Sequence, residues 1–263
     1  GADVSVGMIR QAIKALGFTD MYEVSLGADF VSKNEAEELA EHLKEGKKMT
    51  TSCCPAFVNM IKKHFPQVLD NMSTTVSPMT ATGRIIKAMD PEAVCVFIGP
   101  CIAKKGEVID SITFGGADYA LTYEELAGMF EAKEIDPADY DEELQQGSKM
   151  GKNFSVSGGV TACVLEVLKE ENEDISVKVN KANGALECKK ALMMLKLGRL
   201  PEDFIEGMAC VGGCVNGPMM LNKSRTFMKD RNAQINKADD RTILENVAKY
   251  DELGINMTRG SVE

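Results

Sequence analysis

Helical and strand-like patterns of hydrophobic residues follow one another along the chain. In residues 6–16 apolar side chains recur every three or four positions, which predicts an amphipathic helix that ends at Gly17. Residues 94–98 form a continuous apolar run before Gly99, which is typical of a buried parallel strand. The same criteria predict further helices at 34–43, 56–65, 81–88, 123–132, 161–169, 185–197 and 242–250. Further strands are predicted at 21–26, 115–121, 175–179 and 204–208.

This alternation of strands and helices favours an α/β fold in which parallel sheets are flanked by helices. The chain has no internal repeat with a period of about 20 to 50 residues and no flexible linker. Its 263 residues exceed the usual size of a single domain. We therefore expect either one large domain or two intertwined lobes.

Composition narrows the classes of partner. The chain is 44% hydrophobic and 27% charged, as an ordinary globular protein is. Its 40 acidic and 30 basic residues give a formal net charge of −10, so we expect neither nucleic acid nor an anionic membrane as a partner. No apolar run reaches the roughly 18 residues of a membrane-spanning helix, and the first residues do not resemble a secretory signal. The eight unevenly spaced cysteines are then expected to be reduced thiols, metal ligands or catalytic thiols, and the expected location is the cytoplasm.

The first candidate chemical group is a pair of adjacent cysteines, Cys53 and Cys54, in the segment TTSCCP. They lie just before Pro55 and a predicted helix, and Lys47 and Lys48 are close in sequence. A helix N-terminus and nearby ammonium groups both favour thiolates, the form that binds metals and relays protons. Taken alone, the pair is weak evidence, and small buried hydrophobic residues explain it better than functional thiols.

Two further cysteine segments lie at the ends of predicted strands. Cys101 follows the strand at 94–98, at the edge where parallel α/β sheets bind ligands. In MACVGGCVNG, two glycines between Cys210 and Cys214 let the backbone turn so that both sulfurs aim at one point. Together with Cys54, these residues would fit a four-sulfur site for zinc or an iron–sulfur cluster. Zinc is disfavoured because structural zinc sites usually draw two closely spaced pairs of ligands.

Three motifs in this order resemble the H-domain of iron-only (FeFe) hydrogenases: TSCCPAF at 51–57, PCIAKKGE at 100–107 and EGMACVGGCVNG at 206–217. The similarity continues elsewhere and covers most of the chain, through residues 16–30, 73–78 and 154–160. The resemblance implies two intertwined lobes of mainly parallel sheet flanked by helices, with the active-site cluster in the cleft between them. The implied approximate bounds are 1–115 and 116–222 for the lobes and 223–263 for a C-terminal helical segment.

The resemblance also implies a cofactor and an activity. The cofactor would be the H-cluster, a 4Fe-4S cluster joined through a cysteine sulfur to a di-iron unit that carries carbon monoxide, cyanide and a bridging azadithiolate. The activity would be the reversible heterolytic oxidation of H2 to protons and electrons. The implied ligands of the 4Fe-4S cluster are Cys54, Cys101, Cys210 and Cys214, the last being the bridge to the di-iron unit.

Other residues match positions around this cofactor. Lys104 would hold a cyanide ligand, since a buried anionic ligand needs a charge-assisted donor. The other matched positions that would line the cofactor are Met208, Gly99, Met79 and Phe154.

The resemblance further implies a proton path. Cys53 would exchange a proton with the bridging dithiolate, and the next positions of the path match Glu35, Ser73 and Glu38. Glu35 and Glu38 share a helix face at i and i+3. A solvated acidic face explains this spacing equally well.

Several residues depart from the family pattern. Gly99 stands where the family usually has a methionine, and Met79 stands where we expect a glutamine, both near the di-iron unit. Such exchanges alter the solvation and hydrogen bonding of a cofactor and resemble those of sensory hydrogenases, so we expect slow turnover and hydrogen sensing. An Ala-Pro segment of the family has no counterpart ahead of Gly1, which suggests either a fragment of a longer polypeptide or an altered pocket.

The remaining cysteines determine which partners are expected. Three cysteines remain, Cys95, Cys163 and Cys188, and a second 4Fe-4S cluster would need four. Electrons would therefore pass to a ferredoxin or an upstream ferredoxin-like domain. A sensor would also need a signalling partner. Two other hypotheses stay open: a hydrogenase-like assembly protein that carries a 4Fe-4S cluster without the di-iron unit, and an α/β domain with buried cysteines and no metal.

Overall fold

The computed structural model describes residues 3–171, 175–222 and 225–260. The helices are α1 (Val6–Ala15), α2 (Val24–Lys44), α3 (Pro55–His64), α4 (Pro78–Met89), α5 (Lys104–Glu107), α6 (Tyr123–Ala132), α7 (Lys149–Asn153), α8 (Gly159–Glu170), α9 (Ala185–Lys196), α10 (Arg225–Ile235) and α11 (Ile243–Ala248). The strands are β1 (Met49–Thr50), β2 (Val96–Gly99), β3 (Tyr119–Thr122), β4 (Val179–Asn183) and β5 (Phe204–Met208).

Within the described residues the strands form two separate parallel sheets. In the larger sheet β5 lies between β1 and β4, with Ile205 opposite Thr50 on one side and Asn180 on the other. In the smaller sheet β2 pairs with β3, and Gly99 lies opposite Thr122. Parallel neighbours need crossover connections, which helices supply here, so the predicted α/β class is confirmed. Each sheet contains strands from before and after residue 115, where the boundary between the two lobes is predicted. The lobe boundaries stay a prediction.

Helix α2 is the central element of the core, since α4, α7, α8 and α11 all contact it. Residues 26–32 of α2 are buried without interruption. A Cβ on Gly27 would lie 2.3 Å from the hydroxyl oxygen of Thr82, so α2 and α4 approach each other closely there. A second apolar cluster joins α3, α9 and β5 through Phe57, Ile61, Leu192 and Ile205. Full burial of each such side chain contributes roughly 1.5–3 kcal/mol to the free energy of unfolding.

Two predicted strands are corrected by the structure. The prediction of a strand at 21–26 is wrong, because residues 21–23 belong to no helix or strand and α2 begins at Val24. Buried around its whole circumference, this part of α2 lacks the polar face by which a helix is recognised in a sequence. The strand at 175–179 is displaced, since β4 first pairs at Val179, opposite Phe204.

Most of the remaining predicted elements are confirmed to within a few residues. Helix α6 and strand β5 agree with the prediction at both ends. Thr122 and Glu125 form a capping box that starts α6 directly after β3. Helix α10 was not predicted individually, although it lies in the segment expected to be helical. No helix in the described ranges combines the length and apolar character needed to cross a membrane.

Candidate functional site

Three loops carry the candidate cysteine ligands. Cys54 follows β1 and is the N-cap residue of α3, Cys101 follows β2, and both Cys210 and Cys214 follow β5. Each loop therefore leaves the carboxyl end of a parallel strand, the position where α/β sheets bind ligands. We call these four residues the cysteine site.

Close backbone packing joins two of these loops. A Cβ on Gly217 would lie 2.5 Å from the carbonyl oxygen of Pro100, so only glycine allows this approach. The backbone N–H of Met219 donates to the same oxygen at 3.1 Å. The chain after Cys214 is thereby held against the residue that precedes Cys101.

The four thiols of the cysteine site share one environment. Burial first, and then the neighbouring thiols of Cys54, Cys101 and Cys210, raise the pKa of Cys214 to about 12. Cys214 nevertheless keeps accessible surface. Among the described residues no three Cys, His, Asp or Glu side chains are close enough to hold a single metal ion. Four thiols are the donor set that a 4Fe-4S cluster requires.

A buried ammonium group lies beside the cysteine site. Lys104 is 8% exposed, and its Nζ forms an ion pair with Glu107 Oε2 at 2.6 Å. Burial disfavours the charge on Lys104, but Glu107 and then the thiols of Cys101 and Cys214 outweigh it, so the pKa of Lys104 lies above its usual value. Lys104 therefore remains cationic beside the thiols of Cys101 and Cys214.

Tyr123 and Glu107 are neighbours of this site that the sequence analysis missed. Tyr123 is the first residue of α6, and burial followed by the charge of Cys214 raises the pKa of its phenol. Glu107 lies three residues after Lys104 and is its ion-pair partner. The KKGE spacing was the only local signal that could have indicated Glu107.

Cys53 is buried next to the cysteine site. Burial raises the pKa of its thiol well above the usual value, and Glu35 and Cys54 raise it further. Cys53 is therefore a neutral thiol, and the residue before it, Ser52, donates its N–H to the carboxyl group of Glu35.

A line of polar side chains leads from Cys53 towards the surface. Glu35 is fully buried, burial raises its pKa to about 8, and its Oε1 accepts a hydrogen bond from the Ser52 N–H at 3.2 Å. Glu35 Oε2 has no hydrogen-bond partner in the described part of the chain, although the Ser73 hydroxyl is close. Ser73 Oγ donates to Oε2 of half-buried Glu38 at 2.7 Å. A solvated acidic face is thus excluded for Glu35.

The remaining predicted cofactor residues lie in separate elements. Met79 is near the start of α4, Met208 ends β5, and Phe154 follows α7, each at most 6% exposed. Gly99 is buried at the end of β2, and a Cβ there would lie 2.5 Å from the ring of Phe97. The Phe97 ring therefore fills the space that a side chain at position 99 would need. Contacts of these residues with a cofactor stay a prediction.

Comparison with known proteins identifies the family of this site. The family described as iron only hydrogenase large subunit, C-terminal domain, matches residues 1–218. The chain belongs to this family. Iron hydrogenase 1 of Clostridium pasteurianum is 30% identical to this hydrogenase-family chain over 262 residues, which cover 82% of this chain and 46% of that protein. The chain thus spans about half the length of this relative.

A solved structure agrees with this hydrogenase-family fold. The FeFe-hydrogenase HydA1 from Chlamydomonas reinhardtii superposes with a TM-score of 0.73 at 20% identity, over 95% of this chain and 83% of that one. At this level of identity the similarity establishes a shared fold of parallel sheets and helices.

The relatives of this hydrogenase-family chain differ in function. A cytosolic Fe-S cluster assembly factor of Kluyveromyces lactis is 26% identical over 246 residues, which cover 66% of this chain and 52% of that protein. Family membership therefore supports an iron–sulfur protein with a hydrogenase fold. Family membership does not by itself distinguish H2 turnover from cluster assembly.

Proposed function

We propose that this protein binds an H-cluster and catalyses the reversible heterolytic oxidation of H2 to protons and electrons, slowly and in the role of a hydrogen sensor. The observation that carries the proposal is the line of side chains from Cys53, beside the cysteine site, to half-buried Glu38. Four thiols suffice to hold a cluster. A buried path for protons is needed only where protons are produced or consumed.

The cysteine site is the proposed holder of the 4Fe-4S part of the cofactor, with Cys214 as the bridge to the di-iron unit. Lys104 offers a buried ammonium group to an anionic diatomic ligand. When bound, the cofactor supplies an open iron position and a basic amine at which H2 is split heterolytically.

The side chains of this chain then move the proton. Cys53, a neutral thiol, donates its own Sγ proton to the carboxylate of Glu35 and takes the proton released from H2 in its place. Because its pKa is raised to about 8, Glu35 binds and releases a proton near neutral pH. The hydroxyl of Ser73 transfers the proton by exchanging its hydrogen-bond partners between Glu35 and Glu38. Glu38 releases it to water. The reverse order serves proton uptake.

Electrons need a separate partner. Cys163 Sγ donates to the carbonyl of Met150, and Cys188 Sγ donates to that of Ala182. These two thiols are therefore hydrogen-bonded in different parts of the core and do not form a second cluster site together. We propose a ferredoxin or a ferredoxin-like domain as the electron partner, and the cytoplasm as the location.

The sensory role is supported by the surroundings of Gly99. The ring of Phe97 fills the space at position 99 next to the loop of Cys101. An apolar ring in place of a flexible side chain changes the solvation of a neighbouring cofactor and hence its reactivity. A signalling partner that responds to the state of the cluster is part of this proposal.

A second candidate function is that of a cluster-carrying assembly protein without the di-iron unit. The similarity to the Kluyveromyces lactis assembly factor favours it. Such a protein lacks the di-iron unit and transfers no protons. It would therefore not require Cys53, buried Lys104 or the line of side chains to Glu38. We therefore rank this function second.

Infrared spectroscopy of the anaerobically purified protein tests the proposal. After the di-iron cofactor has been supplied, we expect carbon monoxide and cyanide bands that shift between H2 and an inert gas. A 4Fe-4S signal in electron paramagnetic resonance without these bands would identify the cluster-carrying protein instead. The absence of both signals would refute both candidates.

Replacing Cys53 tests the proton path. Cys53→Ala should lower H2 turnover about 10²–10⁴-fold and leave the iron content unchanged, because Cys53 carries protons and does not ligate the cluster. Cys95→Ala is the matched control, since Cys95 is also buried but has Lys87 and Asp118 as its charged neighbours. Turnover assays and iron analysis of both variants would contradict the assignment if the two variants were equally active.

A further inference from the structure

The last described residues form an extended segment against the loop that carries Ser73. We call residues 256–260 the C-terminal strap. The Val76 N–H donates to the carbonyl of Met257 at 2.8 Å, and the Arg259 N–H donates to that of Thr74 at 2.7 Å. The strap lies beyond residues 1–218, to which the family similarity extends.

The side chain of Arg259 reaches from the strap into the interior. Its Nη2 donates to the carbonyl of Ser52 at 3.0 Å and to that of Thr75 at 2.9 Å. Ser52 precedes Cys53, and its N–H donates to Glu35. One guanidinium group therefore joins the loop of Cys53 to the loop of Ser73.

The charge of Arg259 is placed among acidic groups. Burial lowers its pKa, while Glu107, Glu35, Asp110 and Cys53 act in the opposite direction. An arginine remains cationic under these conditions. Its buried Nε has no hydrogen-bond partner in the described residues, so the side chain is held only through its terminal nitrogens. The groups that influence Glu35 in turn are Glu38 on the same helix, Arg259 on the strap, and the hydrogen-bond donors Ser52 and Ser73.

We propose that Arg259 is a positioning residue for proton transfer: its guanidinium group clamps Ser52 to Thr75 and thereby keeps Cys53, Glu35 and Ser73 aligned. The inference rests on the proposed function for its kinetic consequence only. The clamp itself and its effect on Glu35 are properties of the protein without any cofactor.

Arg84 provides a matched control for a merely structural role. It holds the same strap, because its Nη1 donates to the carbonyls of Asn256 at 2.6 Å and Thr258 at 2.8 Å. Arg84→Met should therefore loosen the strap without removing the clamp on Ser52. Arg259→Met should do both.

Two measurements on the protein without cofactor separate these roles. Hydrogen exchange should become faster at the amides of Ser52 and Thr75 in Arg259→Met than in Arg84→Met. The infrared band of the protonated Glu35 carboxyl, assigned by its loss in Glu35→Gln, should persist to a pH about one unit higher in Arg259→Met, because a nearby positive charge is lost. Arg259→Lys, which keeps the charge, should restore most of the band position but not the slow exchange.

The kinetic measurement uses the protein loaded with its cofactor. Arg259→Met should lower H2 turnover about tenfold and shift its pH profile, whereas Arg84→Met should keep the wild-type profile. Identical exchange, band position and profile in the two variants would overturn the inference. If the wild-type protein showed no turnover but the cofactor-free measurements still separated the variants, the proposed function would fail and the positioning by Arg259 would stand.

Discussion

At the scale of single residues, burial decides which acidic side chain can exchange protons near neutral pH. Glu35 and Glu38 are three residues apart on α2. Glu35 is fully buried and its pKa is raised to about 8, whereas Glu38 is half-buried and accepts hydrogen bonds from Ser73 and from the Thr74 N–H. The two carboxyl groups thus have the same chemistry and different surroundings, which the proposed proton path would use in different steps.

Phe97 and Gly99 are a second case in which a neighbouring side chain determines the surroundings of a residue. Residues two apart on a strand point to the same face, so the Phe97 ring lies over Gly99 on β2. A side chain at position 99 and a ring at position 97 compete for one space. With the Phe97 ring in this position, residue 99 has no room for a side chain.

This competition predicts coupling between two substitutions. Gly99→Met alone should lower the free energy of unfolding by about 1–3 kcal/mol, because the ring has to move. Combined with Phe97→Ala, the same change should cost less than the sum of the two single effects, by about 1 kcal/mol. Urea unfolding of the four cofactor-free proteins measures this coupling. Strict additivity would show that the ring and the new side chain do not compete.

At the scale of elements, Glu206 ties strand β5 to the start of α8. Its carboxylate accepts hydrogen bonds from the Gly158 N–H at 2.6 Å, the Thr161 N–H at 2.8 Å and the Thr161 hydroxyl at 2.7 Å. A negative charge is stabilised at a helix N-terminus by its unpaired N–H groups. The loop before α8 also contacts the cysteine site, since the Cys214 N–H donates to the carbonyl of Ser155 at 2.8 Å.

Removing this charge should affect both stability and cluster binding. Glu206→Gln should lower the free energy of unfolding by about 1–3 kcal/mol, because an amide has one acceptor oxygen where three donors converge. It should also lower the iron content after cluster reconstitution, since the loop of Cys214 loses support. The control is Glu245→Gln, in the exposed capping box of α11, which should cost less than about 0.5 kcal/mol. Equal iron content in both variants would contradict the link to the cysteine site.

At the scale of the whole molecule, the C-terminal residues close the core over α2. Asp29 is fully buried in α2, and it accepts hydrogen bonds from the Ser148 hydroxyl at 2.6 Å and from Asn246 Nδ2 of α11 at 2.7 Å. Burial raises the pKa of Asp29 to about 6, above its ordinary value of 3.8. The folded state therefore holds this proton more tightly than the unfolded state. Ionisation of Asp29 costs stability as the pH rises from about 4 to about 6.

A second carboxyl group at this junction should make stability strongly dependent on pH. Asn246→Asp should lower the free energy of unfolding by about 2–4 kcal/mol at pH 8, because two buried carboxylates then face each other. At about pH 5 the loss should be smaller, since the pair can share a proton. Asn232→Asp makes the same chemical change at an exposed position of α10 and should have little effect. Unfolding curves at the two pH values that showed equal losses for N246D would exclude the repulsion.

Local signals account for the elements that could be predicted from the sequence. Helix α6 and strand β5, which leads into a glycine-rich loop, were both predicted to the residue. The first half of α2 could not be predicted, because a helix buried on all sides shows no periodicity. Pairing between strands determines where β4 begins, and pairing is not a local property.

The candidate site shows the same division. The cysteine motifs point to the loops that the structure brings together, since each motif is short and carries its own chemistry. Tyr123 and Arg259 were missed because nothing near them in the sequence indicates the residues that they contact. Arg259 meets Ser52 and Thr75, which lie on remote parts of the chain.

The sequence by itself determined the succession of strands and helices, the identity of the thiol ligand candidates and, through the motifs around them, the family. Only the tertiary structure decided that Glu35 is buried while Glu38 is not, and that Arg259 joins the loops on either side of Glu35. The reason is physical. A residue's type and spacing are local, whereas its solvation and the charges near it depend on segments that meet only after the chain has folded.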